Sequence, residues 1–213
     1  MNTAPASLSL SPETRFRFVG GDTSVDFVNT VVWTDAGPIN ERLADYAALL
    51  RWIEGAQLLD ARRLRELRRL AKASPTRAAG IYDQARELRW TLRKVLLGVI
   101  EGRVLDGSLE ELNGYLLRAN AHRRLRPDRG PTIHWDWQTD DDPLALPLWP
   151  VALAAAALLT SADAARLRLC AGSTCGWMFV DRSRNGLRRW CEMETCGTSA
   201  KSRRRAARQR SAE

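Results

Sequence analysis

Four cysteines near the carboxyl end of the chain constrain its fold more than any other sequence feature. They form two pairs, Cys170/Cys175 and Cys191/Cys196, and the chain of 213 residues contains no other cysteine. Two close pairs separated by a hairpin-length segment are typical of a structural zinc site, in which four thiolates surround the metal tetrahedrally. The alternative, buried free thiols or disulfides, is disfavoured because all four cysteines lie within 27 residues. The sequence therefore predicts one bound Zn²⁺ in a closed site, without an open position for catalysis.

The residues around the cysteine pairs predict a small module built of knuckle, hairpin, second knuckle and helix. Residues 166–169 and 176–180 have the composition of short strands, and Asn185-Gly186 is typical of a two-residue hairpin turn. Residues 197–199 are of helix-capping types, so a helix is expected over residues 200–209. This order is that of a treble-clef-like zinc module, which at about 45 residues is expected to need its metal to fold. Loss of one ligand should unfold it and leave the preceding helices intact.

The excess positive charge of the chain lies entirely in this cysteine module, residues 166–213. The whole chain has a formal net charge of +8. The module holds twelve Lys and Arg against four Asp and Glu, whereas residues 1–165 hold 21 of each kind. Four thiolates with one zinc ion remove about two charges, so the module stays strongly basic. A basic module with an exposed helix predicts nucleic-acid binding; a solvated tail or a patch for an acidic protein or anionic lipid is the alternative.

DNA binding is the function that these features favour. The candidate DNA contacts flank the hairpin or share a broad face of the predicted helix: Arg182, Arg184, Arg188, Arg189, Lys201, Arg204, Arg205 and Arg208. Two other classes stay open: an adaptor whose basic module binds an acidic protein, and a small-molecule binding protein or enzyme in residues 1–165. A small-molecule effector and a second copy of the chain, forming a homodimer, are further candidate partners.

Two motifs resemble bacterial protein families. The run over residues 175–186, continued by residues 189–197 and an arginine-rich segment, resembles the CGNR zinc finger, and residues 16–21 with 25–30 resemble the opening of the ABATE domain that precedes it. The resemblance implies zinc ligation by the four cysteines and a regulator of transcription, with links to stress. The finger is named for a Cys-Gly-Asn-Arg motif, but Thr198-Ser199 replace the Asn and Arg here. Any DNA contact made through those two residues would be altered.

The fold class predicted from the sequence is mainly α with a few short strands: a helical domain in residues 1–165, followed by the cysteine module. Apolar residues recur at helical spacing in several segments, with Asp22, Asp60 and Ser74-Pro75 as helix starts. The spacing of Ser108 and Glu111 suggests a capping box at a further start. Strands are expected over Arg15–Val19 and Thr132–Gln138. Trp33, Trp52 and Trp90 are expected to lie in a common core or at its edges.

Only a few polar residues in the helical domain are candidates for a ligand-binding, metal or catalytic site. Asp26 and Asn29 interrupt an apolar predicted helix and are the first candidates for ligand binding; local hydrogen bonding is the alternative. The acidic run Asp140–Asp142 could bind a hard cation, although a solvated loop is its expected role. His122 and His134 have no nucleophile or carboxylate partner at a recognisable spacing, and no phosphate-binding loop or metalloprotease motif occurs. We therefore expect no enzymatic activity.

The sequence also predicts where the protein acts. The first residues lack the basic start and apolar run of an export signal. Residues 143–162 carry no charge, but Pro147 and Pro150 leave too short a helix to cross a bilayer. A buried helix, no membrane association and a cytoplasmic location are expected.

Overall fold

The computed structural model describes residues 16–34, 36–103, 106–128, 130–139 and 141–210, with backbone alone at residues 204, 206 and 210. In these ranges the α-helices are α1 Thr23–Val28, α2 Tyr46–Gly55, α3 Ala61–Ala73, α4 Pro75–Glu101, α5 Asp106–Ala121, α6 Leu148–Leu159 and α7 Thr198–Arg210. The strands are β1 Val32–Thr34, β2 Gly37–Ile39, β3 Arg123–Pro127, β4 Ile133–Trp137, β5 Leu167–Leu169 and β6 Met178–Val180. They form three separate antiparallel pairs, β1–β2, β3–β4 and β5–β6. This confirms the mainly helical fold with a few short strands.

The helix starts follow from local capping. The carboxylates of Asp22 and Asp60 accept hydrogen bonds from backbone amides of the first turns of α1 and α3, at 2.8 Å in both cases. Pro75 occupies the first position of α4, where its missing N–H costs nothing. Helix α4 ends at Gly102, whose φ of 71° is the left-handed conformation that glycine adopts most easily. Asp45, which was not among the predicted helix starts, caps α2 in the same way as the other two aspartates.

Helix α4 lies at the centre of the helical domain and contacts α1, α2, α3, α5 and α6. Its buried leucines and those of α2 and α6 form the main core, in which Trp52 is completely buried. Trp33 is also buried, while Trp90 is 44% exposed and meets the Trp33 ring edge-on at 4.8 Å between centroids. The three tryptophans thus mark the core and its edge, as predicted. Within the described residues no helix combines the length and apolar character that a bilayer span requires.

Several local predictions for the helical domain were wrong. Residues 16–19 form no strand. Helix α5 begins before Ser108, and the Glu111 carboxylate accepts hydrogen bonds from Thr91 and Lys94 of α4 instead of closing a capping box. Strand β3 was missed because its sequence does not alternate; it forms only by pairing with the correctly predicted β4. In the acidic run, Asp142 forms an ion pair with Arg77, and Asp140 lies outside the described residues.

Strand β6 joins the cysteine module to the helical domain because it is buried on both faces. Met178 and Val180 point into the main core, together with Leu167 of β5. Trp177 and Phe179 point the other way, into a small core with Cys170 and Cys191. Since side chains alternate along a strand, one short segment serves two cores. The packing of the cysteines is therefore coupled to that of the helices.

Candidate zinc centre and nucleic-acid surface

The four cysteine sulfur atoms converge on one point. All four Sγ atoms lie within 4.8 Å of one another, and none forms a disulfide. The Sγ atom of Cys191 is 3.6 Å from that of Cys175 and 3.7 Å from that of Cys196. Around a tetrahedral zinc ion with bonds of about 2.3 Å, neighbouring sulfur atoms are about 3.8 Å apart. The cluster fits zinc, and among the described residues it is the only group of three or more such side chains that could hold a metal.

The backbone around the sulfur atoms is arranged to support thiolates. The amides of Gly172 and Cys191 donate to the Cys170 Sγ atom at 3.4 and 3.3 Å. Hydrogen bonds from the thiols of Cys175 and Cys191, with these amides, hold the pKa of Cys170 well below its usual range. Hydrogen bonding to that thiolate raises the pKa of the Cys175 and Cys191 thiols. Zinc binding must therefore release protons from the cluster, as expected for a thiolate site.

Two glycines give the module room at its tightest points. A Cβ atom on Gly172 would lie 3.1 Å from the Cys175 Cβ atom and 3.2 Å from the Cys196 Sγ atom. Gly176 has a φ of 62°, and a Cβ atom there would lie 2.1 Å from the carbonyl oxygen of Trp33. Only glycine allows the chain to leave the first cysteine pair in this conformation and this close to β1.

A turn at residues 19–21, the docking turn, connects the helical domain to the module. Its three successive carbonyl groups each accept a hydrogen bond from the cysteine module. The bonds run from Arg188 to Val19 at 2.9 Å, from the Val180 amide to Gly20 at 2.8 Å, and from Arg182 to Gly21 at 2.6 Å. Helix α4 adds a hydrogen bond of 2.8 Å from Arg93 to the carbonyl of Gly176. The Arg93 guanidinium also lies over the Trp33 ring, and burial lowers the pKa of Arg93 to about 10.

The two residues predicted to bind a ligand lie at this junction. Asn29 is buried, and its side-chain amide donates to the Met178 carbonyl at 2.8 Å and accepts from the Met178 amide at 3.0 Å. Asp26 accepts a hydrogen bond of 2.7 Å from the Gly20 amide in the docking turn. Asp26 also lines an open cleft of about 340 Å³. Both ends of the Asn29 amide are thus engaged by strand β6, and ligand binding at Asp26 stays a prediction.

Replacement of Asn29 by Ala is expected to destabilise the protein by about 2 to 4 kcal/mol, because the Met178 amide and carbonyl would be buried without partners. Urea denaturation of the zinc-loaded protein measures this. The control is Asn113→Ala, at an exposed position of α5, which should change stability by no more than about 0.5 kcal/mol. Equal effects of the two changes would show that the Asn29 bridge does not stabilise the fold.

The Asp26 carboxyl predicts a dependence of stability on pH. Burial raises the pKa of Asp26 to about 7, whereas an unfolded Asp has a pKa of about 4. The folded state therefore favours the protonated form, and ionisation destabilises it. Relative to Asp26→Asn, which stays neutral, we expect the wild-type free energy of unfolding to fall as the pH rises from about 4 to about 7. Urea denaturation across this range tests it, and parallel profiles for the two proteins would contradict it.

The loop between the cysteine pairs is a turn and not the predicted hairpin of strands. The amide of Gly186 donates to the Ser183 carbonyl at 3.3 Å, and residues 187–190 form no strand. The Asp181 carboxylate closes the loop by accepting from the amides of Ser183 at 2.9 Å and Arg188 at 3.0 Å. Nothing in the local sequence distinguished Asp181 as the residue that organises this loop.

The basic residues of the loop differ in their surroundings. Arg184 is exposed, and Arg189 is exposed with its guanidinium over the Trp190 ring. Arg182 forms an ion pair of 2.7 Å with Asp163 in addition to its bond to the docking turn. Arg188 also bonds the carbonyls of Trp190 and Cys191 and lies over the Phe179 ring. Within the described residues, the guanidinium groups of Arg184 and Arg189 form no ion pair, whereas those of Arg182 and Arg188 are bonded to other parts of the protein.

Helix α7 presents exposed basic side chains. It begins at Thr198, two residues earlier than predicted, directly after a turn of π-helix at Met193–Gly197. Ala200 is buried against the module, while Lys201, Arg205 and Arg208 are exposed. None of these three forms an ion pair with a described carboxylate; the Arg204 side chain lies outside the description.

Family models match both parts of the chain. Residues 21–162 match the ABATE family, described as "Putative stress-induced transcription regulator". Residues 166–209 match the CGNR zinc finger, whose four cysteines are the cluster described above. A search of curated proteins finds no match to this chain. Since the first model alone spans more than half of the sequence, the chain belongs to the ABATE family, and it carries a CGNR zinc finger at its carboxyl end.

Proposed function

We propose that this protein regulates transcription by binding DNA through helix α7. The observation that carries the proposal is the composition of this helix: six of its 13 residues are Lys or Arg, and none is acidic. The helix follows directly from the zinc-ligand cluster, so the metal fixes where these charges lie. Exposed cations that pair with no described carboxylate are available to neutralise phosphates, and such contacts supply most of the affinity in non-specific DNA binding.

The proposal divides the eight predicted DNA contacts into two groups. Five are assigned to DNA because no described carboxylate neutralises them: Arg184, Arg189, Lys201, Arg205 and Arg208. Arg204 joins them only by its position in the sequence of α7. Arg182 and Arg188 are assigned a positioning role, since their guanidinium groups are bonded to the docking turn. They would hold the module against the helical domain and so orient α7.

The helical domain would sense a ligand or form a dimer, and strand β6 would connect either event to the module. This role places the protein in the cytoplasm, where the bacterial chromosome lies. Neither family description names an enzymatic activity, and we assign no catalytic role to any residue. The competing function is an adaptor whose basic helix binds an acidic protein.

Fluorescence anisotropy with a labelled random duplex and zinc-loaded protein tests the proposal. We expect binding at low salt that weakens steeply as the salt concentration rises. Competition separates the two functions: unlabelled duplex should displace the probe, and polyglutamate at the same charge concentration should not. Absence of binding to any duplex at low salt would refute the DNA proposal, and preferential binding of polyglutamate would favour the adaptor.

Restoring the family motif by the double change Thr198→Asn and Ser199→Arg is expected to raise DNA affinity or selectivity. Both positions are exposed at the start of α7, so a new guanidinium there can reach a phosphate or a base. One added phosphate contact should also steepen the salt dependence by about 0.9 in the log–log slope. Anisotropy measures both quantities.

The control for this double change is Ala73→Arg, which adds the same charge at an exposed position of α3. It should leave the salt dependence unchanged. If the control variant gains as much affinity as the double variant, the start of α7 has no special role in DNA binding.

A further inference from the structure

A cleft of about 410 Å³ opens in the helical domain between α4, α5 and the beginning of α6. Its volume lies in the range of small-molecule binding sites, roughly 300 to 1,000 Å³. The cleft contains neither the zinc cluster nor Asp26; of the candidate site residues considered from the sequence, His122 and Asp142 line it. Leu148, Ala145, Tyr115 and Trp149 give it apolar walls.

The polar walls of the cleft are held in place by the fold. The Tyr115 hydroxyl donates to the Gln84 carbonyl at 3.1 Å. The His122 ring stacks on Trp149, with 4.2 Å between centroids and 5° between planes. Its Nδ1 atom lies 3.0 Å from the Gln138 carbonyl oxygen and therefore carries the proton, which leaves Nε2 for a ligand. When the side chains of a site are already fixed, less conformational entropy is lost when the ligand binds.

The charges of the cleft are of both signs. Arg77 and Asp142 neutralise each other in an ion pair. Arg118 and Glu87 also line the cleft, and neither forms an ion pair with any described residue. The Arg118 guanidinium lies over the Tyr115 ring, 4.6 Å from its centroid. Burial raises the pKa of Tyr115 to about 12, and Glu87 and Arg118 both lie near enough to affect it in opposite directions. One cation and one anion that pair with no described residue thus border the same cleft.

We propose that this cleft binds a small zwitterion, an α-amino acid with an apolar side chain. Arg118 would bind the carboxylate, since a guanidinium offers two parallel donors to that group. Glu87 would bind the ammonium group, and Leu148 and Ala145 would contact the side chain. A simple organic anion fits less well, because Glu87 would repel it.

Helix α4 connects this cleft to the cysteine module. Glu87 and Arg93 belong to the same continuous helix, and Arg93 donates to the Gly176 carbonyl next to the zinc ligand Cys175. A ligand that shifts α4 against α5 would therefore change a contact of the module. This regulatory consequence rests on the proposed function, whereas the binding itself does not.

Isothermal titration calorimetry of the zinc-loaded full chain, without DNA, tests the inference with each standard L-amino acid. We expect at least one amino acid with an apolar side chain to bind with a millimolar or tighter Kd. The corresponding amine, which lacks the carboxylate, and the corresponding acid, which lacks the amino group, should each bind about tenfold more weakly or worse. If no amino acid binds, the inference is overturned.

Matched variants locate the site. Arg118→Gln and Glu87→Gln should each weaken binding about tenfold or more, whereas Arg65→Gln and Glu110→Gln, at exposed positions of α3 and α5, should not. Binding that survives both cleft variants, or an acid that binds as well as the amino acid, would also overturn it. Amino-acid binding by a protein that fails to bind DNA would refute the proposed function and leave this inference standing.

Discussion

Chelation of zinc is expected to unfold the helical domain together with the cysteine module. The sequence alone predicts that the module unfolds by itself. In the structure, however, Leu167, Met178 and Val180 of the module are buried in the main core. Burial of one such side chain contributes about 1.5 to 3 kcal/mol. Losing the burial of all three side chains would lower the free energy of unfolding by about 5 to 9 kcal/mol, which is comparable with the whole stability of a typical domain.

Thermal melts followed by circular dichroism measure this effect, with tryptophan fluorescence as a second probe of the same transition. We expect both probes to report one transition at a much lower temperature after chelation. Cys196→Ser should behave like the chelated protein, and chelator should have no further effect on that variant. A helical signal that melts at an unchanged temperature would show that the two parts fold independently.

Replacement of Lys201, Arg205 and Arg208 together by Gln is expected to lower DNA affinity by about two to three orders of magnitude at about 0.1 M salt. Each of these exposed side chains would neutralise one phosphate, so the log–log salt slope should become shallower by about 2.7. The loss should be similar for every duplex sequence, since phosphate contacts carry no sequence information. Anisotropy titrations at several salt concentrations provide the affinity and the slope.

The matched control replaces Arg51, Arg62 and Arg65 by Gln, at exposed positions of α2 and α3. It removes the same net charge from the helical domain. If this control variant loses as much affinity as the α7 variant, DNA binding depends on total charge and not on a surface at α7.

The zinc cluster could be predicted from the sequence because its information is local. The spacing of the four cysteines requires two knuckles, and the structure brings their sulfur atoms together. Helix caps such as Asp22 and Asp60 are local in the same sense, since each bonds an amide two or three residues away. Strand β3 was missed because its own sequence does not alternate, and only its pairing with β4 makes it a strand.

The attachment of the module could not be predicted because its contacts join distant parts of the chain. Asn29 and Met178 are separated by 149 residues, and no periodicity links them. For the same reason Arg182 and Arg188 look equivalent to Arg184 in the sequence, although they bond the docking turn. The basic residues of α7 could be recognised without knowing any distant contact. A helix this rich in Lys and Arg cannot be buried, so its exposure was predictable from its composition.

Hydrogen–deuterium exchange of the zinc-loaded protein, with and without a saturating random duplex, tests most directly that α7 is the DNA-binding surface. We expect slower exchange on DNA binding in peptides covering residues 198–210, and in the loop of residues 183–189. Peptides from α2 and α3 should exchange at the same rate in both samples. Protection confined to the helical domain, with α7 unchanged, would show that α7 is not the DNA-binding surface.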